Sequence, residues 1–293
     1  MIKAVTEFSV FERIATYLRM IKFSHSVFAL PFALSAAFIA SGGIPEGNKL
    51  LWIIIAMVSA RSAAMGLNRI IDRKIDSLNP RTSAREIPSG KVSLIEAMVF
   101  VAIATIIFIY SASRLNPLCF KLSFVALFFI FIYSYTKRFT SLSHLFLGIT
   151  ISAAPLGAWI AVTGGLDARI WSLVLSVAFW IAGFDILYAL QDIEFDRRYG
   201  LYSIPARFGI KKALLISRLF HLLSWSLLLI TGLVFHLRFL YFAGVLIGAI
   251  ILLYEHRLVR PDDLSKLNMA FFNMNGYLSI VVFVFTALSF LIG

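Results

Sequence analysis

Two acidic runs, Asn68-x3-Asp72-x3-Asp76 and Tyr188-x3-Asp192-x3-Asp196, interrupt a chain that is otherwise strongly apolar. At about 1.5 Å rise and 3.6 residues per turn, positions i, i+4 and i+8 stack on one helix face. Carboxylates stacked beside lipid repel one another and are costly to keep ionised unless a cation lies between them. Mg²⁺ suits that task, because it keeps part of its water and shares its remaining ligands with substrate phosphates. If the two helix ends converge, Asp72, Asp76, Asp192 and Asp196 are the expected metal ligands around a diphosphate. Of the 15 acidic residues, six (72, 76, 185, 192, 194 and 196) lie in or beside the runs. One run alone reads as solvated helix-end charge, with Asp72 beside Arg73 and Asp196 beside Arg197. Two runs on one side of a membrane, each with a polar residue one turn earlier, read as a site.

Cations for a phosphate stand nearby. Arg69, Arg73, Lys74, Arg81, Arg85 and Lys91 follow or flank the first run, and YSYTKR places Tyr133 and Lys137 one turn apart. A guanidinium fork or an ammonium matches phosphate oxygens. Any single one of these also reads as an interfacial anchor.

The elements that must position these groups are membrane helices. The 293 residues are 60% hydrophobic and 14% charged, against about 25% charged in a soluble domain. Apolar stretches near the 20-residue membrane length recur nine times. They fall at 23–41, 50–71, 93–113, 117–136, 143–163, 170–190, 212–236, 238–254 and 270–292. The first 20 residues, with Glu7, Glu12, Arg13 and Arg19, read as an amphipathic lead-in and not as a cleavable signal. With the N-terminus cytoplasmic, twenty lysines and arginines fall inside and five outside, alternating with every crossing. That bias accounts for much of the +12 net charge without nucleic acid and puts both acidic runs on the cytoplasmic face. Cys119, the only cysteine, excludes internal disulfides and cysteine metal sites. The five histidines never fall at i, i+4 and read as ordinary polar groups of helices and loops. The runs lie 120 residues apart, and each precedes a polar loop with a proline and a glycine, which suggests an internal duplication. No flexible linker divides the chain, so one domain over 1–293 is expected.

NRIIDRKIDSLNPRTSAREIPSGKVS (68–93) resembles the first aspartate-rich motif and following loop of UbiA-superfamily aromatic prenyltransferases. DILYALQDIEFDRRYGLYSIPARFG (185–209) resembles their second motif, and Tyr133–Lys137 their YxxxK element. The wording is most similar to 4-hydroxybenzoate polyprenyltransferases and their near relatives. The resemblance implies an all-α bundle of about nine transmembrane helices around a central cavity, in the cell membrane, with Mg²⁺, a polyprenyl diphosphate and an aromatic acceptor. It implies that Asn68, Arg81, Arg85, Tyr133, Lys137 and Tyr188 bind substrate, and that Asp72 and Asp192 serve catalysis. Arg69 departs from the pattern, since many relatives have an acidic residue there.

On that account cations neutralise the leaving diphosphate as the allylic C–O bond breaks, and the ring carbon ortho to the phenol attacks. An apolar cavity excludes water from the cation and lets the tail extend toward lipid. Arg61 and Asp185 each lie seven residues before a motif's polar lead residue or aspartate, about two turns deeper on its face. A charge at that depth needs a partner. Either they pair with each other, or Arg61 holds the acceptor's carboxylate while Asp185 orients the phenol or takes the ring proton. The acceptor is expected to be 4-hydroxybenzoate, with a futalosine-pathway menaquinone precursor as the alternative. An ion-coupled transporter is the competing class, disfavoured because the acids cluster at helix ends and not at mid-membrane. A CDP-alcohol phosphotransferase also uses DxxxD, but its Asp-Gly and Ala-Arg-Gly pattern is missing.

Overall fold

In lipid a backbone must satisfy its own polar groups, and this chain does so with helices. The computed structural model describes residues 10–24 and 28–292. Its helices are α1 (Val10–Met20), α2 (Leu30–Ser41), α3 (Gly47–Leu78), α4 (Leu94–Leu115), α5 (Pro117–Thr136) and α6 (Ser143–Thr163). They continue as α7 (Trp171–Ala189), α8 (Ile193–Arg198), α9 (Ile204–Val234), α10 (Phe239–Leu258) and α11 (Asn275–Leu291). Among the described residues, 8 helical segments are long and apolar enough to cross a membrane, and α2 is a shorter apolar helix. The expected all-α polytopic bundle is what forms.

Local chemistry sets several ends. Asn116 accepts the Cys119 N–H and Pro117 follows it at the first helical position, so α4 and α5 reverse tightly there. Gly164, at φ 78°, closes α6 in the left-handed conformation that costs glycine least. Three expectations are corrected. The span expected at 23–41 is a 12-residue helix that starts at Leu30, where Pro31 fixes the first turn; residues 25–27 lie outside the described ones. The second span, expected to end at 71, runs on to Leu78, so Asn68, Asp72 and Asp76 share one face of the last turns of α3, as their spacing suggested. Its 32 residues rise roughly 48 Å against a hydrocarbon core of about 30 Å, which carries the acidic run to the membrane surface. The second run does not occupy one continuous helix face: a 3-10 turn over Leu190–Asp192 separates α7 from α8, so Asp196 rides on its own short helix.

Helix α7 is the hub. It is apolar all round, with only 7 of its 19 residues outside the buried set, as an internal helix must be. It packs against α6 and α9, while α3 pairs with α4, α2 lies on α6, and α10 pairs with α11. The α6–α7 approach needs Gly148, where a Cβ would lie 2.1 Å from the Ala178 carbonyl oxygen.

Candidate active site

Both acidic runs reach one end of the bundle, and the loop after α3 ties them together. Asn79 and Arg81, in the loop after α3, bind Asp192 in the turn between α7 and α8: the Asn79 amide donates to Oδ1 at 3.0 Å and Arg81 Nε donates to Oδ1 at 2.9 Å. Every aspartate of the expected ligand set is buried or nearly so, and each has a protein partner. Asp72 accepts from Lys137 at 2.8 Å, Arg138 at 3.0 Å and the Asn68 amide at 3.0 Å. Both oxygens of Asp76 accept from Arg85, at 2.7 and 2.8 Å. Asp196 accepts the Ser203 hydroxyl at 2.7 Å. Lys137, Arg81 and Arg85 therefore stand on the aspartates themselves. A buried ion pair contributes little net stability, but stripping one partner leaves a charge uncompensated. Asp72, Asp76 and Asp192 thus each face a cationic side chain, whereas Asp196 has the neutral Ser203 hydroxyl.

The donor set fits Mg²⁺ by its chemistry: four hard carboxylates and the oxygen of the Asn68 side chain. It is not drawn to one point. Among the described residues, the one group of three His, Cys, Asp or Glu ligand atoms within 4.8 Å of one another lies elsewhere, at His221, Glu255 and His256.

Tyr188 sits where the basic groups meet. Its hydroxyl accepts from Arg81 at 2.7 Å and from Lys22 at 3.3 Å, and its ring lies 4.3 Å from that of Phe271. Burial pulls the Lys22 ammonium below the ordinary lysine range, and the Tyr188 hydroxyl only partly offsets it. Burial acts the same way on Arg81, but its hydrogen bonds to Asp192 outweigh this and raise it overall.

Beneath these groups lies a cavity of about 540 Å³. Lys22, Arg61, Asn68, Tyr133, Asp185 and Tyr188 line its polar part, and Leu115, Cys119 and Ile160 its apolar reach. Val125 on α5 and Ile149 on α6 line it too, and both are about half exposed, so the cavity opens to the lipid-facing surface between these helices.

Arg61 and Asp185 share this cavity but do not pair. Asp185 instead accepts from His144 Nδ1 at 2.7 Å. The Ile204 N–H donates to His144 Nε2 at 3.3 Å, so that nitrogen bears no proton and the Nδ1–H points at the carboxylate. Arg61 Nε is buried without a hydrogen-bond partner.

Sequence reasoning missed Lys22, Asn79, Arg138, His144 and Ser203. Asn79, Arg138 and Ser203 had a signal, since they lie inside the motif stretches at 68–93, 133–138 and 185–209. His144 had none, because its partner lies 41 residues away.

The profile of the UbiA prenyltransferase family matches residues 29–277. The chain is 34% identical over 255 residues to the 4-hydroxybenzoate octaprenyltransferase of Vibrio campbellii, covering 87% of this chain and 89% of that one. Among solved structures, the apo form of a UbiA homolog from Aeropyrum pernix K1 superposes with a TM-score of 0.79 at 30% identity, covering 92% of this chain and 97% of that chain. A UbiA homolog from Archaeoglobus fulgidus, bound to GPP and Mg²⁺, shares the fold with a TM-score of 0.65 at 19% identity, covering 93% of this chain and 99% of that chain.

Proposed function

The chain belongs to the UbiA prenyltransferase family, and with that as premise we propose that it transfers a polyprenyl group from polyprenyl diphosphate to the ring of 4-hydroxybenzoate. The observation that supports this most is the cavity: an arginine whose Nε is buried without a partner and one oriented carboxylate beneath a ring of paired acids and bases, joined to an apolar passage open toward lipid. A benzoate needs a buried cation, a phenol needs an acceptor, and a long isoprenoid needs a lateral exit.

Asp72, Asp76, Asp192 and Asp196 would hold Mg²⁺, which when bound supplies positive charge against the diphosphate. Lys137, Arg81 and Arg85 turn from their aspartates to the diphosphate oxygens, and Lys22 and Tyr188, beside Arg81, add donors. Asn68 and Tyr133 border the allylic end of the donor. As the allylic C–O bond breaks, the electron pair leaves with diphosphate and the ring carbon ortho to the phenol forms the new C–C bond. Arg61 binds the acceptor carboxylate, setting the ring's position. Asp185, held by His144, accepts the phenol or the departing ring proton, and rearomatisation completes the transfer. The apolar wall excludes water throughout.

The chain is a multi-pass membrane protein. The lysine and arginine bias supports a cytoplasmic site and N-terminus in the cell membrane, within one domain spanning 1–293. The test is purified protein with labelled polyprenyl diphosphate and a panel of acceptors. Prenylated 4-hydroxybenzoate is expected; an inert 4-hydroxybenzoate beside a prenylated menaquinone precursor would overturn the acceptor assignment.

A further inference from the structure

Away from the cavity, His221 of α9 and Glu255 and His256 of α10 converge inside the bundle. Their sequence separation hides them: two residues are adjacent and the third lies 34 positions earlier. We propose that these three side chains bind a first-row divalent transition ion, Zn²⁺ foremost, at a site distinct from the aspartate-lined one.

The spacing fits. Nitrogen and oxygen ligands sit about 2.0–2.2 Å from Zn²⁺, so the edges of a tetrahedron are roughly 3.3–3.6 Å. His221 Nδ1 lies 3.4 Å from Glu255 Oε2, an edge length, and 3.0 Å from His256 Nε2, a hydrogen bond that opens by a few tenths of an ångström when both nitrogens turn to a metal; all three ligand atoms fall within 4.8 Å of one another. Two of the three ligands, His221 and Glu255, are also oriented from behind, as metal ligands are. His221 Nε2 lies 3.3 Å from the Trp180 carbonyl oxygen, so it donates there and leaves the Nδ1 lone pair facing the cluster. Glu255 Oε1 accepts from the Asn275 amide at 2.7 Å, which turns Oε2 inward. Asn275 is fixed in turn by Trp180 Nε1, which donates to its Oδ1 at 2.6 Å.

What remains unsatisfied points to a ligand. Glu255 is 0% exposed and its Oε2 has no hydrogen-bond partner. A carboxylate oxygen left bare in a membrane helix is expensive, and a cation there removes the cost. Imidazole nitrogens select a transition ion over Mg²⁺, which demands oxygen. Three protein ligands leave a fourth position for water. His256, in the last turn of α10 and only partly buried, gives the ion a way in. Gly183 makes the room: a Cβ there would lie 2.3 Å from the His221 ring. Bound metal would clamp α9 to α10 and, through Asn275 and Trp180, engage α11 and α7.

The probe is Co²⁺, whose visible absorption reports tetrahedral nitrogen and oxygen ligation. The full chain, carrying an affinity tag without histidine, is loaded with Co²⁺ in a large excess of Mg²⁺ and desalted. About one Co²⁺ per chain with a tetrahedral spectrum is expected, displaced by Zn²⁺ and unaffected by further Mg²⁺. An Asp72→Asn/Asp192→Asn variant should retain it. Glu255→Gln should weaken binding roughly tenfold or more, His256→Ala should abolish it, and added Zn²⁺ should raise the wild-type Tm but not theirs. Wild-type protein that retains no Co²⁺, or that binds it with an all-oxygen octahedral spectrum, overturns the proposal. The wild-type count alone decides the matter should either histidine or glutamate variant fail to fold.

Discussion

Arg61 should show opposite signs in binding and in stability. Its Nε is buried and unpartnered, and Asp185, the counter-charge expected from the sequence, is occupied by His144. An unsatisfied buried polar group costs about 1–3 kcal/mol, more when charged. Arg61→Met keeps most of the side-chain volume and removes that cost, so the Tm in detergent should stay level or rise. Acceptor binding should suffer. Removing one partner of a buried, hydrogen-bonded charge pair costs about 2–5 kcal/mol, and 3 kcal/mol at about 1.4 kcal/mol per tenfold is roughly a hundredfold. Initial rates at saturating donor, with 4-hydroxybenzoate varied, should show the acceptor KM raised on that order with the donor KM within a few-fold of wild type. Phenol, which lacks the carboxylate, isolates the contact: wild type should prefer 4-hydroxybenzoate over phenol by about that factor, and Arg61→Met should lose most of the preference. A lowered Tm restored by adding Asp185→Asn, with the acceptor KM unchanged, would show instead that the two residues serve the fold.

The remaining predictions concern the polar end. Asp72→Asn and Asp192→Asn should each lower turnover by roughly 10²–10³-fold, the scale of a lost charge-stabilising contact, and EDTA should abolish activity that Mg²⁺ restores; full activity in EDTA would refute the ligand assignment. Lys137→Ala should raise the donor KM about ten- to a hundredfold, as one lost charge-assisted hydrogen bond does, and an effect confined to the acceptor KM would count against it. His144→Gln and Asp185→Asn should both lower kcat, with the double variant little worse than Asp185→Asn alone because the histidine acts through that carboxylate; independent, multiplying losses would separate them. Burial favours the neutral amine of Lys22, so its charge is lost at a lower pH than an exposed lysine's. Donor binding should therefore weaken early on the alkaline side, and Lys22→Arg should move that limb upward; an unmoved limb would exclude Lys22 from the donor site.

How much of this was legible in the sequence depends on where each residue's energetic cost is met. The α5 and α6 boundaries could be read closely, because Pro117 and Gly164 act within one turn of the ends they set. The aspartate runs stood out for the opposite reason: a carboxylate near lipid violates local expectation unless something beyond the helix compensates it. The 3-10 turn at Leu190–Asp192 had no such mark, since no proline or glycine stands there and the loop's grip on Asp192 through Asn79 and Arg81 is tertiary. His144 and His221 were passed over because their partners come from other helices, so their spacing along the chain says nothing. Folding answers most of these costs, and the residue of unanswered ones is informative. Among the described residues the buried side-chain atoms left without a hydrogen bond are Arg61 Nε, Trp159 Nε1, Glu255 Oε2 and His256 Nδ1. We have no physical account of Trp159. The other three fall in two places, one facing the substrate cavity and one between α9 and α10. Two of these gaps, at Arg61 Nε and Glu255 Oε2, are costs that a bound carboxylate and a bound metal ion would meet.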